Sequence, residues 1–347
     1  MTEAIDPKFI AIGENVHTTR VLLRKGKRIA TEEGVEGIRY QTPDGEDRLL
    51  AIPDRAKEGQ EYQEGRVKHV MVAVQAAMSG DGAAAEEGLA YLRYLVARQE
   101  RAGAHYLDLN VDEISWKLAD QKAAMAWLVR TVQGMTDLPV SVDSSNLEVI
   151  DAGLEVCESD GARPMLNSAS LERPDGIDLA VAHGARLVVT AAGATGMPDG
   201  PDERVTNATR IVEAATAKGV ATGDIFIDPL VFPISVDGAF GTHCLDAIRA
   251  LRAALGTEIH ITGGMSNVSF GVPGRKIIND VFLNLAVDAG ADSGIIDPVA
   301  GAPADILAVD SAHPSFKLAE DALMGRDEHC RAYIRAWRKG ELAPLNP

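Results

Sequence analysis

Carboxylates and amides recur where short apolar runs end: Glu14 and Asn15 in "FIAIGENV", Asp108 and Asn110 in "YLDLNV", Asp143 and Asn146 in "VSVDSSN", and Asn167 in "PMLNSAS". The series continues with Asp228 in "IFIDPLVF", Ser266 and Asn267 in "GGMSNVS", and Asp297 in "SGIIDPV". A carboxylate accepts pairs of N–H bonds, and a primary amide both donates and accepts. Such a set therefore suits a heterocycle that presents several N–H donors and carbonyl acceptors. The same residue types also cap helices and close turns. For Asn146, which opens a helical stretch, and Asp297, which precedes a proline, that role is the better reading.

Other chemistries find little support. His17, His105, His183, His243, His260 and His313 stand singly, without the paired helical spacing of an H-E-x-x-H metal site, and read as packing or surface histidines. Cys157, Cys244 and Cys330 are far apart and form no C-x-x-C pair, so they are expected as ordinary thiols. No protein-bound metal is expected. Neither a G-x-S-x-G elbow nor a P-loop lysine motif occurs, which leaves acyl transfer and nucleoside triphosphate chemistry without support. A hydrolytic pair drawn from Asp108, Asp143 and Asp228 stays open.

Eight elements must position these residues. The β-branched runs fall at residues 9–16, 106–111, 140–145, 164–170, 186–192, 225–232, 258–264 and 293–299. Near-continuous apolar strands of this kind belong to a parallel sheet covered by helices on its faces. Between them lie helical patterns such as "EEGLAYLRYLVARQERAGA", which ends at a glycine, and "NLEVIDAGLEV", which starts at an asparagine suited to N-capping. Eight strand–helix units predict an α/β fold, a (β/α)8 TIM barrel forming one domain over residues 1–347. A doubly wound open sheet is the runner-up, but no G-x-G-x-x-G follows "FIAIG". In a barrel the site forms at the C-terminal ends of the strands, where the polar series lies. Residues 18–65 break the rhythm: charged and turn-rich, with "TPDG" as a β-turn, they read as an insertion after the first strand. A hairpin lid and an oligomer-forming loop are its two expected roles.

The 347 residues carry a net charge of -17, with 46% hydrophobic and 24% charged residues, as an ordinary globular chain does. That charge argues against a broad nucleic-acid surface, which needs clustered Lys and Arg. No signal peptide or membrane-spanning run is evident, so a cytoplasmic location is expected.

Taken in order, the strand ends "IGE", "LDLN", "VDSSN", "LNSAS", "IDPL" and "GGMSNVS" resemble the pterin-binding barrels, which comprise dihydropteroate synthases and methyltetrahydrofolate:corrinoid protein methyltransferases. The resemblance runs from residue 9 to about 300, apart from the insertion. It implies that Asp143, Asn167 and Asp228 hold the aminopyrimidine and amide edges of a pterin. Dihydropteroate synthases end the seventh strand in a basic Ser-Arg-Lys-type motif and carry Arg-x-His on the eighth. The corresponding stretches here, "GGMSNVSFG" and "GIIDPV", have neither. "SNVS" is similar instead to the methyltransferase branch, in which the asparagine approaches N5 of the folate. The resemblance thus implies a folate module like that of cobalamin-dependent methionine synthase. Its substrate would be methyltetrahydrofolate or tetrahydrofolate, and its cobalamin would ride on a separate corrinoid protein, since no D-x-H-x-x-G motif occurs. Catalytic roles fall to Asn267, Asp143 and Asp228, and substrate binding extends to Glu14, Asp108, Asn110, Asn167, Gly264, Ser266 and Arg275. The two glycines of "GGMSN" are expected to let the backbone approach a flat ring. A homodimer is expected from the resemblance alone.

The sequence departs from that family in two places. Relatives read "GER-x-N" after the first strand, whereas "GENVH" puts Asn15 and His17 at the Arg and Asn positions, with Arg20 as the candidate replacement charge. Past "SNVS", Phe270 replaces a polar residue and either stacks on the pterin or packs the loop, while Arg275 matches and either positions the folate or caps a helix. A dihydropteroate synthase and a non-catalytic folate-binding protein are the alternatives to methyl transfer.

Overall fold

All eight apolar runs form strands in the computed structural model, which describes residues 9–80, 82–158 and 162–345. They are β1 (Ile10–His17), β7 (Tyr106–Asn110), β8 (Val140–Asp143), β9 (Met165–Ala169), β10 (Arg186–Thr190), β11 (Ile225–Asp228), β12 (His260–Ile261) and β13 (Ser293–Ile296). The intervening β2–β6 belong to the insertion. The eight form one sheet in the order β12-β11-β10-β9-β8-β7-β1-β13, and a parallel bridge from Gly264 to Ile295 links its two end strands. Helices 118–133, 147–154, 175–183, 201–217, 240–255 and 275–289 separate successive strands, which makes this a (β/α)8 TIM barrel.

Burial on both faces explains why the runs read as continuous apolar stretches. In β7, Leu107, Asp108 and Leu109 are all fully buried, so the aspartate sits among core residues. Two strands are shorter than their apolar runs. β11 stops at Asp228 because Pro229 has no N–H for the ladder and Leu230 turns the chain at φ 68°. β12 keeps two residues, and the expected "GGMSN" tip is instead a 3-10 helix, Met265–Ser269.

The insertion is a small structure of its own. β2 (Val21–Leu23) pairs antiparallel with β6 (Arg66–Lys68), and between them β3 (Ile29–Glu32), β4 (Val35–Gln41) and β5 (Asp47–Ala51) form a meander. "TPDG" makes the β4–β5 turn, with the Gly45 amide donating to the Thr42 carbonyl at 2.9 Å. Tyr40 of β4 packs against Tyr91 and Tyr94 of helix Gly82–Arg101, ring centroids 5.0 and 5.3 Å away. Arg28 donates to the Tyr91 hydroxyl at 2.6 Å, and that hydroxyl bonds Nδ1 of His69 at 2.9 Å. Residues 18–65 are therefore pinned to a barrel helix.

The chain divides into two compact units, one of residues 13–101 and 105–167, the other of Ala102–Ala104, Ser168 onward and the chain up to Ile12. Among the described residues no helix is long and apolar enough to cross a membrane.

Candidate functional site

In the unit that contains β7 and β8, the polar strand ends converge. Asn110 closes β7 and donates from Nδ2 to Oδ2 of Asp143 at 2.8 Å, while its Oδ1 accepts the Asp112 amide at 3.0 Å. Both ends of that amide are thereby fixed. Asn167 donates to Oδ1 of Asp108 at 3.4 Å, and Asp108 is fully buried. The parallel registers Asn110↔Asp143 and Asp143↔Asn167 set the three side by side.

His17, at the end of β1, is not the isolated histidine that the sequence implies. Its Nε2 lies 2.8 Å from Oδ2 of Asp108. Burial alone would lower the His17 pKa, but the Asp108 contact and the charges of Asp143 and Glu14 outweigh it and raise the value. Burial, then the like charge of Asp108, lifts the Asp143 carboxyl well above the usual carboxylate range. Atoms of His17, Asp108 and Asp143 lie within 4.8 Å of one another, close enough for one divalent ion to reach all three. Glu14 pairs with Arg20 at 3.3 Å, so Arg20 does bring a cation to this strand end. Asn15 is buried, and its backbone amide donates to the Gln99 side chain.

In the other unit, Asp228 ends β11. Its Oδ1 accepts the Leu230 amide at 2.7 Å, and the Gly264 amide also donates to it. Burial pushes its pKa up to about 6 against the opposing pull of those two amides and of Arg204. Gly263 stands against this carboxylate with φ 149°, and a Cβ built there would lie 3.0 Å from Oδ1. A Cβ on Gly264 would lie 2.8 Å from Nδ2 of Asn267. The glycine pair thus makes room for two of the protein's own side chains. Asn267 is exposed; its backbone amide donates to the Gly264 carbonyl at 3.0 Å, and its side-chain amide makes no hydrogen bond among the described residues.

Arg275 starts helix Arg275–Ala289 and folds back onto the 3-10 helix. It donates to the Ser269 hydroxyl at 2.9 Å and the Ser266 carbonyl at 2.8 Å, and stacks over Phe270 at 4.2 Å. Phe270 and Arg275 therefore brace the loop that carries Asn267. Asn146 accepts the Glu148 amide as an N-cap, and Asp297 accepts the Val299 and Ala300 amides in a turn, as their positions implied.

Sequence reasoning missed three contributors: His17, Gly263 as the seat of Asp228, and Arg204, whose Nε donates to the Pro229 carbonyl at 2.9 Å.

A family model of pterin binding enzymes matches residues 81–297. The chain is 29% identical over 268 residues to the methylcorrinoid:tetrahydrofolate methyltransferase of Eubacterium limosum, an overlap of 75% of this chain and 92% of that one. It is 35% identical over 214 residues to methionine synthase of Mycobacterium leprae, covering 57% of this chain and only 17% of that longer one. A crystal structure of dihydropteroate synthetase with product shares the fold, with TM-score 0.52 and 17% identity over 64% of this chain and 87% of that one.

Proposed function

The chain belongs to the pterin-binding enzyme family, and from that premise we propose that it moves a methyl group between N5 of (methyl)tetrahydrofolate and the cobalt of a corrinoid carried by a separate protein. Asp143, Asn167 and Asp228 would take the N–H and carbonyl edges of the pterin. Both aspartates meet the requirement for such work, being acceptors whose remaining bonds are few and directed. When a pterin donates N–H bonds to them, the carboxylate form is favoured, and the raised pKa values of the free protein fall. Binding therefore releases protons near neutral pH.

N5 of methyltetrahydrofolate is a tertiary amine and leaves only as it gains positive charge. The amide of Asn267 would accept a hydrogen bond from protonated N5 through its carbonyl and reorient as the methyl group departs. The lack of any hydrogen bond to this side-chain amide among the described residues, together with its exposure, is the observation that carries this assignment. No protein nucleophile is needed, because the partner's corrinoid supplies the cobalt that attacks the methyl carbon. The C–N5 electron pair stays on nitrogen, giving tetrahydrofolate, and the reverse transfer retraces the same path. The name of the Eubacterium limosum enzyme, a methylcorrinoid:tetrahydrofolate methyltransferase, supports this pairing of folate with methyl transfer.

Mixing the protein, methyltetrahydrofolate and a reduced corrinoid protein and following the corrinoid spectrum tests the proposal. Conversion of cob(I)alamin to methylcobalamin absorbance is expected. Tight folate binding without conversion by any supplied corrinoid protein would favour a non-catalytic folate binder. Condensation of dihydropterin pyrophosphate with p-aminobenzoate would instead mark a dihydropteroate synthase.

A further inference from the structure

Arg204 is the largest side chain that the fold buries completely. It sits in the first turns of helix Pro201–Ala217, where "PDERVTNATRIV" would otherwise read as a solvated face. Its Nε donates to the Pro229 carbonyl at 2.9 Å, and its guanidinium lies 4.8 Å from the centre of the Phe232 ring. Nη1 and Nη2 make no hydrogen bond among the described residues, so no salt bridge neutralises the charge. Burial lowers the Arg204 pKa, while Cys244, Asp228 and Glu203 act to raise it. Cys244, from helix Phe240–Leu255, is a buried neutral thiol pushed up to about 12, and Glu203 is exposed. Asp228 is the carboxylate left to answer the buried cation.

Burying an arginine with two unsatisfied amino groups costs several kcal/mol in order of magnitude, and a methionine would fill the space without that penalty. Packing alone does not account for it. The turn it grips is also strained: Pro229 is followed by Leu230 at φ 68°, a left-handed conformation that is unfavourable for an L-residue. The turn is held at both ends, by the Asp228 carboxylate on the Leu230 amide and by Arg204 on the Pro229 carbonyl.

Resting on the folate reading above, we infer that Arg204 is a positioning residue for the pterin site: from behind β11 it fixes the Asp228–Pro229–Leu230 turn and supplies the positive charge that keeps Asp228 available as an acceptor. Among the described residues the Leu230 and Gly264 amides donate to Asp228 and the neutral Cys244 thiol is under its electrostatic influence, and none of these carries a positive charge.

Calorimetric titration of methyltetrahydrofolate into wild type, Arg204→Gln and Arg204→Lys across about pH 5–9 tests this. Glutamine removes the charge but keeps a planar donor, and lysine keeps the charge. For Arg204→Gln the acid midpoint of binding should rise by about one pH unit, with affinity falling roughly twofold near neutral pH and roughly tenfold near pH 5, and converging with the wild type toward about pH 9. Arg204→Lys should keep the wild-type midpoint. A wild-type midpoint in both variants, or an equal loss in both at every pH, would overturn the inference. Failure of the wild type to bind any folate would instead overturn the functional reading on which it rests. If Arg204→Gln does not fold, 13C NMR titration of the Asp228 carboxyl in unliganded wild type decides: a midpoint below about pH 7 is expected, and a higher one overturns the inference.

Discussion

The imidazole of His17 lies 2.8 Å from the Asp108 carboxylate, and Asp143 shares the cluster. The ring stands with these two acids at the position where the sequence departs from "GER-x-N", and their charges raise its pKa against the effect of burial. Replacing it with the asparagine of that pattern would leave Asp108 and Asp143 near each other with less compensation. His17→Asn should therefore raise the Asp143 pKa further, move the acid limb of methyltetrahydrofolate binding upward, and weaken binding near neutral pH by roughly tenfold. A His pKa raised by folding gives stability that is present below the unfolded value and is lost as pH rises through the folded one. The wild-type advantage in thermal stability over His17→Asn should accordingly shrink in alkaline buffer.

Asp228 lies at the opposite pole of this logic, since its carboxyl is pushed up to about 6 by burial. An Asp pKa raised by folding makes the ionised form a liability to the native state, absent in acid and fully present above the folded pKa. Asp228→Asn keeps an oxygen to accept the Leu230 amide and removes the buried charge. The variant should melt higher than wild type at about pH 8 by the equivalent of roughly 1–3 kcal/mol, match it near pH 4, and lose most of its folate affinity. Calorimetry on both proteins checks all three outcomes. Lower stability at about pH 8 would show that the carboxylate is structural.

Asn267→Ala separates binding from turnover. The exposed amide braces nothing among the described residues, so truncation should leave folding intact and change the folate Kd by no more than about threefold. kcat for methyl transfer should fall by roughly 10- to 100-fold, the pattern of an interaction strengthened in the transition state. Stopped-flow corrinoid spectra give the rate, and normal turnover would remove Asn267 from the mechanism.

Gly263→Ala puts a methyl 3.0 Å from Oδ1 of Asp228, at a φ of 149° that alanine rarely adopts. Both effects act against the native state, so a loss of about 1–3 kcal/mol in unfolding free energy is expected. Displacement of the carboxylate should also weaken folate binding by at least roughly tenfold. Denaturant titration and calorimetry read the two separately, and a fully tolerated alanine would mean that Asp228 has another seat.

The strands of the barrel are legible because both of their faces are buried, so each appears as an uninterrupted apolar run. The polar strand ends are legible for the same reason, as Asp108 in "YLDLNV" and Asp143 in "VSVDSS" interrupt such runs. Two boundaries are not, because local chemistry ends β11 and β12 before hydrophobicity does: Pro229 and Leu230 turn one, and Gly263 turns the other. His17 was missed because its partners come from β7 and β8, and a single histidine carries no spacing signal. Arg204 is hidden by its neighbours Asp202 and Glu203, although the buried series Arg204, Ala208, Ile211 and Ala215 follows the inward face of its helix.

The ribbon of β2 and β6 pairs Val21 with Lys68 and Leu23 with Arg66, so the inserted chain leaves and re-enters through one doorway. The insertion is built as a cassette. A short reverse turn joining the two ribbon strands would excise the meander without lengthening any connection in the barrel. The cut would be paid for elsewhere, because Tyr91 and Tyr94 would lose the cover of Tyr40 and become a greasy scar on the outside of helix Gly82–Arg101.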